Sequence, residues 1–326
     1  MEDVVILKEL AHTYPAVGRS GLPRQALKSV SFSIHSGEVF GLLGPNGGGK
    51  STTFNILSTF FPPTGGCATI LGHDVKTAPE QVRHRLGVVF QQPSLDIQLS
   101  IWENLIHQGH LYGLSGGELR ERISTVLQRV GLLDRAQDRV KTLSGGLKRR
   151  VEVAKGLLHK PSVLLLDEPS TGLDPGARRD LWDYLHELQT QEKMTIVVTT
   201  HLMEEAETCD RVAILNQGQL VALGTPADLK HRIGGDVITV QSPEPENLAR
   251  DIEAKFHAKT NVVDDTLRIE RESGHEFIPR LVTAFPGQIT SVTLGKPTLE
   301  DVFVRETGHR FWAMDAAVEE EKKDKV

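Results

Sequence analysis

The spacing of apolar and polar positions changes several times along this chain, and each change marks an element. Val4-Val5-Ile6-Leu7 starts a strand, and Val30, Phe32 and Ile34 alternate with polar neighbours as a half-buried strand does. Between them, residues 18–24 collect Gly, Ser and Pro and predict a hairpin loop. A short apolar run at 38–44 predicts a buried strand, and 51–60 a helix. Residues 93–155 are mostly helical in pattern. Apolar runs at 163–167 and 195–200 predict two further buried strands, with a crossover helix over 178–193. This alternation of strand and helix implies a parallel core sheet. Runs at 211–216 and 219–223, around Gln217-Gly218, predict a closing hairpin.

The character changes at Gly234-Gly235. Beyond it the pattern reads strand 236–241, helix 246–257, strand 263–270, helix 275–285, strand 289–294 and helix 298–307, a small α+β appendage of ferredoxin-like type. The expected domains are 1–235 and 236–310, followed by a tail over 311–326. From Asp315 on, that tail is rich in Ala, Glu and Lys, a composition that predicts disorder.

Composition narrows the classes. Hydrophobic residues make up 39% and charged residues 25% of the 326, ordinary for a globular protein with a sizeable core. The net charge of −6 gives no basic field for nucleic acid. Two cysteines, Cys67 and Cys209, make neither a disulfide framework nor a four-cysteine zinc site. The N-terminus lacks the basic-then-apolar pattern of a signal peptide, and no apolar run approaches the ~20 residues of a membrane helix. The expected location is cytoplasmic, with any membrane role coming through a partner.

Candidate chemistry starts at Gly44-Pro45-Asn46-Gly47-Gly48-Gly49-Lys50-Ser51, which fits G-x-x-x-x-G-K-[ST]. It follows an apolar strand and opens a helix, the context that separates a P-loop from a chance glycine-rich turn. Glycines let backbone N–H groups converge on phosphate oxygens, and the helix start adds partial positive charge. Lys50 is expected on the β- and γ-phosphates of ATP, Ser51 on Mg²⁺, and Thr52 on phosphate. Asp167 ends the apolar run at 163–167, where α/β sheets bind ligands, and suits Mg²⁺. Glu168 follows it and, by strand alternation, points elsewhere; it is the candidate to polarise the attacking water.

Leu143-Ser144-Gly145-Gly146, with Ser144 placed 23 residues before Asp167, resembles the signature motif of ABC-type ATPases. Ser144 precedes a helix whose Leu147, Val151, Ala154 and Leu158 share a face, so its hydroxyl and the N–H groups of Gly145 and Gly146 form another anion site. The resemblance implies that this site holds the γ-phosphate of ATP bound to the opposite subunit. A second match, Leu114-Ser115-Gly116-Gly117-Glu118, lies 52 residues before Asp167, too far for the family's spacing. Gln91, after the apolar run ending at Phe90, resembles the Q-loop glutamine, an Mg²⁺ and water ligand, with Gln92 as a rival. His201 resembles the switch histidine that contacts the γ-phosphate and Glu168, and Thr171-Gly172-Leu173-Asp174 the D-loop. Tyr14 is placed to stack on adenine as the family's aromatic does, although tyrosine is common at strand edges. Gly48 stands where alanine is usual, and Leu147 where glutamine is.

The resemblance covers residues 4–235. In the appendage, Pro297-Thr-Leu-Glu-Asp-Val-Phe-Val with Thr307-Gly308 is similar to the C-terminal extension of daunorubicin-resistance type exporter ATPases. The fold it implies is α/β: a P-loop NTPase core of ABC type with a parallel sheet, an N-terminal β subdomain and an inserted helical subdomain, plus the α+β appendage. The function it implies is an ATP-hydrolysing subunit of a membrane exporter. Its partners would be an integral membrane permease on a separate chain and a second ATPase subunit, identical or paired. The permease would dock near Gln91 and 92–105, where Leu95, Ile97, Ile101 and Trp102 line a groove or pack in the core. A soluble ABC ATPase of repair or translation is the alternative. Repair versions carry coiled coils or zinc cysteines and translation versions two cassettes, none of which this sequence has. A small-molecule P-loop kinase would have no use for the signature or the switch histidine, and a non-hydrolysing regulator none for Glu168.

Overall fold

The computed structural model describes residues 2–16, 22–263 and 266–311. Most of the loop expected over 18–24, and the tail from 312 on, lie outside the described residues. The chain divides into two compact units, residues 1–220 and 221–326.

The first unit carries two sheets. In one, β1 (Asp3–Tyr14) pairs antiparallel with β2 (Arg24–His35) on one side and β4 (Gly65–Ile70) on the other, and β4 pairs with the short β5 (His73–Asp74). Leu27, Val30, Phe32 and Ile34 of β2 are buried, so the alternation in the sequence marks the face turned to the core. The other sheet holds β3 (Val39–Leu43), β6 (Leu86–Val89), β7 (Val163–Asp167), β8 (Thr195–Thr200), β9 (Arg211–Asn216) and β10 (Gln219–Gly224), in the order β10-β9-β3-β8-β7-β6. β6, β7, β8, β3 and β9 run parallel. Every residue of β3, β7 and β8 is buried, the burial that continuous apolar runs with helices on both faces produce.

Helices connect these strands. α1 (Lys50–Leu57) follows β3, α2 (Pro79–Arg85) precedes β6, and α6 (Pro175–Glu192) crosses from β7 to β8. Asp174 starts α6 by accepting the Ala177 N–H at 2.9 Å, and Pro175 fits its first turn, where no intrahelical N–H is needed. Between β6 and β7 lie α3 (Ile101–Leu111), α4 (Gly116–Arg129) and α5 (Gly145–Leu157). A reciprocal cap between Ser100 and Glu103 fixes the start of α3. Ile101 is fully buried, so the surface groove expected from Leu95, Ile97, Ile101 and Trp102 loses that member to the core, whereas Ile97 is 49% exposed. α7 (Met203–Ala206) follows β8. Gly44, Glu168 and His201 directly follow β3, β7 and β8, which are neighbours and parallel, so their order in the sheet brings these residues to one edge.

In the second unit α8 (Pro226–His231) leads to β11 (Asp236–Gln241), α9 (Pro245–Phe256), β12 (Thr260–Val263), β13 (Thr266–Arg271), α10 (Gly274–Ala284), β14 (Ser291–Gly295) and α11 (Leu299–Thr307). The strand order β12-β13-β11-β14, antiparallel throughout, gives the βαββαβ ferredoxin-like arrangement. The strand expected over 263–270 is β13, and the strand before it, β12, which pairs with it antiparallel, was not expected. Ile238, Val240, Leu248, Ile252, Leu267, Ile269 and Phe277 form this unit's own core. Among the described residues no helix is long and apolar enough to cross a membrane.

Candidate active site

The loop between β3 and α1 is shaped by close backbone approach. A Cβ on Gly44 would stand 2.4 Å from the Leu215 carbonyl oxygen, and Gly49 adopts a φ of 109° that L side chains rarely take. Gly48 is equally tight. A Cβ there would stand 2.9 Å from both the Leu215 and Pro45 carbonyl oxygens, so glycine at this position relieves crowding and does not merely add chain freedom. Gly49 offers no side-chain cap to α1, which leaves the helix start suited to anionic oxygen. Lys50 is only 4% exposed and donates from Nζ to the carbonyls of Gly44 at 2.7 Å and Pro45 at 3.2 Å. A cleft of about 210 Å³ opens over this loop. Tyr14, Pro45, Asn46, Gly47, Ser51 and Thr52 line it, together with Arg24 and Ala26, which the sequence did not single out. The Tyr14 hydroxyl lies 3.2 Å from Thr52 Oγ1, and the Arg24 guanidinium 5.9 Å from the Tyr14 ring.

Glu168 gathers the remaining groups. Its Oε2 accepts from Gln91 Nε2 at 3.2 Å and Thr171 Oγ1 at 3.3 Å and lies 3.1 Å from His201 Nδ1, while Oε1 is 3.7 Å from Lys50 Nζ. β7 ends one residue earlier, at Asp167, so strand alternation is not what aims Glu168. A left-handed turn does, with φ 42°, anchored by the Glu168 N–H on the Thr199 Oγ1 at 2.9 Å. A non-glycine residue held this way stores strain of about 1 kcal/mol or more, as functional sites often do. Burial pushes the Glu168 carboxyl up, but the bond to His201 and the charges of His201 and Lys50 outweigh it and hold it below the usual value. His201 moves the other way: its bond to Glu168 raises it above the ordinary 6.5 against the opposing effect of burial.

Asp167 is buried, and Thr199 Oγ1 donates to its Oδ1 at 2.5 Å. Burial raises its carboxyl above the normal range, with the Thr199 bond opposing and the neighbouring Glu168 charge adding to the rise. Such a desolvated carboxylate gains from a cation. Ser51, Gln91 and Asp167 offer a hydroxyl, an amide and a carboxylate oxygen, the hard donors Mg²⁺ prefers, and leave positions for phosphate and water.

The signature residues sit at the start of α5. Ser144 Oγ accepts the Leu147 N–H at 3.4 Å, and a Cβ on Gly146 would stand 2.8 Å from that of Ala177, which seats this turn against α6. Ser115 in the rival match also precedes a helix, α4, but makes no side-chain cap there. Of the two glutamines, it is Gln91 that donates to Glu168. Of the other histidines, His159 is partly buried and packed within the fold: it stacks on Tyr112 at 3.8 Å, and burial pushes it down to about 4.

Sequence reasoning passed over several buried charges, Arg149, Glu152 and Glu205 among them. Glu205 accepts from Thr200 Oγ1 at 2.5 Å and from Ser170 Oγ. Arg149 of α5 makes four hydrogen bonds, two of them to the Asp167 and Pro169 carbonyls on either side of Glu168. Neither Arg149 nor Glu205 stands out in the sequence, because Arg149 lies between Lys148 and Arg150 and Glu205 between Glu204 and Glu207 in the same short run.

Known proteins agree with this arrangement. The family described as ABC transporter matches residues 27–171, and that described as ATP-binding protein DrrA1-3-like, C-terminal domain, matches residues 224–307. The linearmycin resistance ATP-binding protein LnrL of Bacillus subtilis is 37% identical over 86% of this chain and 93% of its own. The daunorubicin/doxorubicin resistance ATP-binding protein DrrA of Streptomyces peucetius is 34% identical over 94% of this chain and 97% of its own. Nod factor export ATP-binding protein I of Burkholderia lata is 38% identical over 86% and 92%. Among solved structures, cbiO1 from Clostridium perfringens, part of the ABC transporter complex cbiONQ, superposes with a TM-score of 0.64 at 27% identity, over 79% of this chain and 97% of that one. The dimeric post-hydrolysis state of the ATP-binding cassette MJ0796, bound to ADP and Pi, gives 0.60 at 30% identity, over 68% and 98%. The chain therefore belongs to the ATP-binding proteins of ABC transporters, in the branch with a DrrA-like C-terminal domain, and it binds and hydrolyses ATP.

Proposed function

We propose that this chain powers a membrane exporter by ATP-driven pairing of two cassettes, with the roles at the site divided as follows. The observation that carries this reading is the Glu168 carboxylate, held among Lys50, Gln91 and His201 beside the phosphate loop. ATP lies in the cleft over residues 44–52, its adenine against Tyr14 and its phosphates on the loop N–H groups and Lys50. Ser51, Gln91 and Asp167 would hold Mg²⁺, which neutralises developing phosphate charge. Glu168 polarises the attacking water, and its lowered pKa keeps it ionised at neutral pH. His201 fixes the Glu168 carboxylate and senses the γ-phosphate. Ser144, Gly145 and Gly146 of a second copy close the site, their exposed helix start meeting the γ-phosphate from the opposite side.

Among the described residues no helix is long and apolar enough to cross a bilayer. The likeness to cbiO1, part of the ABC transporter complex cbiONQ, and to the export ATP-binding relatives supports an integral membrane permease on another chain as the partner, with this chain peripheral at its cytoplasmic face. The apolar surface beside the Gln91 loop suits such a partner: Phe60 is 71%, Ile97 49% and Phe90 38% exposed. The daunorubicin, linearmycin and Nod-factor relatives support export. A tagged pull-down from detergent-solubilised membranes tests the reading. A stoichiometric multi-span protein is expected; ribosomal or repair proteins without a membrane subunit would refute it.

A further inference from the structure

One guanidinium sits behind the active-site edge and touches the peptide units on either side of the residues just described. Arg149, five residues after Ser144 on α5, is 7% exposed. Its Nε donates to the Pro169 carbonyl at 2.8 Å and its Nη2 to the Asp167 carbonyl at 3.0 Å, so it brackets Glu168. Its Nη1 donates to the Phe90 carbonyl at 2.8 Å, immediately before Gln91, and to Glu152 Oε2 at 2.7 Å. Glu152 then accepts the Ser94 N–H on Oε1 at 2.7 Å, and Lys155 Nζ donates to the Ser94 carbonyl at 2.8 Å. Residues 149, 152 and 155 lie on one face of α5 at spacings of three, so that face grips the loop at both Phe90 and Ser94.

We infer that Arg149 is a positioning residue for hydrolysis: it fixes Glu168 and Gln91 relative to each other and ties both to the helix that begins at Ser144. This rests on the assignment of Glu168 as the group that polarises water. The guanidinium is the side chain suited to the task. Its planar donors point in several fixed directions, so four acceptors on three segments are met at once. A lysine keeps the charge beside Glu152 but has a single ammonium, which cannot satisfy carbonyls on both the Gln91 and Glu168 segments. Glu168 is held in a strained left-handed turn, and releasing the carbonyls on either side of it lets the carboxylate drift.

Arg149→Lys in the full chain tests this. Turnover (kcat) should fall about 10- to 100-fold, the penalty of a misplacement near 1 Å, while KM for Mg-ATP and nucleotide Kd by calorimetry stay within about threefold. A purely structural arginine would lower thermal stability without this kcat-against-KM split. A kcat within about threefold of wild type, or a loss of nucleotide affinity matching the loss of rate, would overturn the inference. If Arg149→Lys does not fold, the double variant Arg149→Gln/Glu152→Gln, which removes both buried charges, is judged by the same criterion. Glu168→Gln is measured alongside. Retained turnover there would refute the role of Glu168 itself, whereas lost turnover there with normal kcat in Arg149→Lys would refute only the role of Arg149.

Discussion

Replacing Glu168 by glutamine removes one negative charge from a crowded place while keeping its shape. Oε2 faces three groups, on Gln91, His201 and Thr171, at 3.1–3.3 Å, and Oε1 faces the Lys50 ammonium at 3.7 Å. A glutamine has one acceptor, so its oxygen turns toward Gln91, His201 and Thr171 and its NH₂ is left facing Lys50. At an effective dielectric of about 20, a pair at this distance carries roughly 4 kcal/mol of gross attraction, most of it offset by desolvation. In the nucleotide-free chain the net loss should be about 1 kcal/mol. With ATP bound, Lys50 meets phosphate instead, and a carboxylate no longer repels the γ-phosphate, so affinity should be unchanged or several-fold tighter. Turnover should fall by about 10²- to 10⁴-fold, the usual share of a general base. Phosphate release at saturating Mg-ATP and calorimetry with Mg-ATP read the two quantities. Turnover within about tenfold of wild type, or a clear loss of affinity, would refute the argument.

Other outcomes follow from the same geometry. Lys50→Ala removes a charge-assisted phosphate contact and should raise the calorimetric Kd for ATP by about 10- to 100-fold. The His201 imidazole should titrate above 6.5 by NMR in the nucleotide-free chain and fall in Glu168→Gln, which lacks the carboxylate that raises it. Because the folded His201 value is raised, the contribution of its imidazolium to stability is full below 6.5 and is lost as pH rises through that folded value. The contribution of the Glu168 carboxylate, whose value is lowered, is lost only as pH falls through its own folded value. In the second unit, Thr298→Ala breaks a reciprocal cap in which Thr298 Oγ1 accepts the Asp301 N–H at 3.2 Å and Asp301 accepts the Thr298 N–H at 2.8 Å. Hydrogen-exchange protection of α11 should fall by about 1 kcal/mol.

The parts legible in the sequence were those set by local rules. The strand over 195–200 was read to its observed ends because it is an unbroken apolar and β-branched run, buried on both faces. The phosphate loop was legible because its glycines answer to steric demands within a few residues, as at Gly44 and Gly49. β4 was missed because Gly65-Gly66-Cys67 carries no strand pattern; it is a strand because β1 pairs with it. β12 was missed, and its last residue, Val263, was joined to the strand that is β13 although Asp264-Asp265 interrupts the apolar run. At the site, residue identities were readable, but two reasons for their placement were not. The turn at Glu168 departs from the alternation of the strand before it, and Arg149 matters only because the fold brings three distant carbonyls to it.

The claim that a second copy completes the active site is tested most directly by light scattering on size-exclusion of Glu168→Gln with and without Mg-ATP. The account predicts a monomer without nucleotide and a dimer with it, and a monomer under both conditions when Ser144→Arg is added, with ATP still bound by calorimetry. A Glu168→Gln chain that binds Mg-ATP yet stays monomeric, or a dimer indifferent to Ser144→Arg, would contradict it.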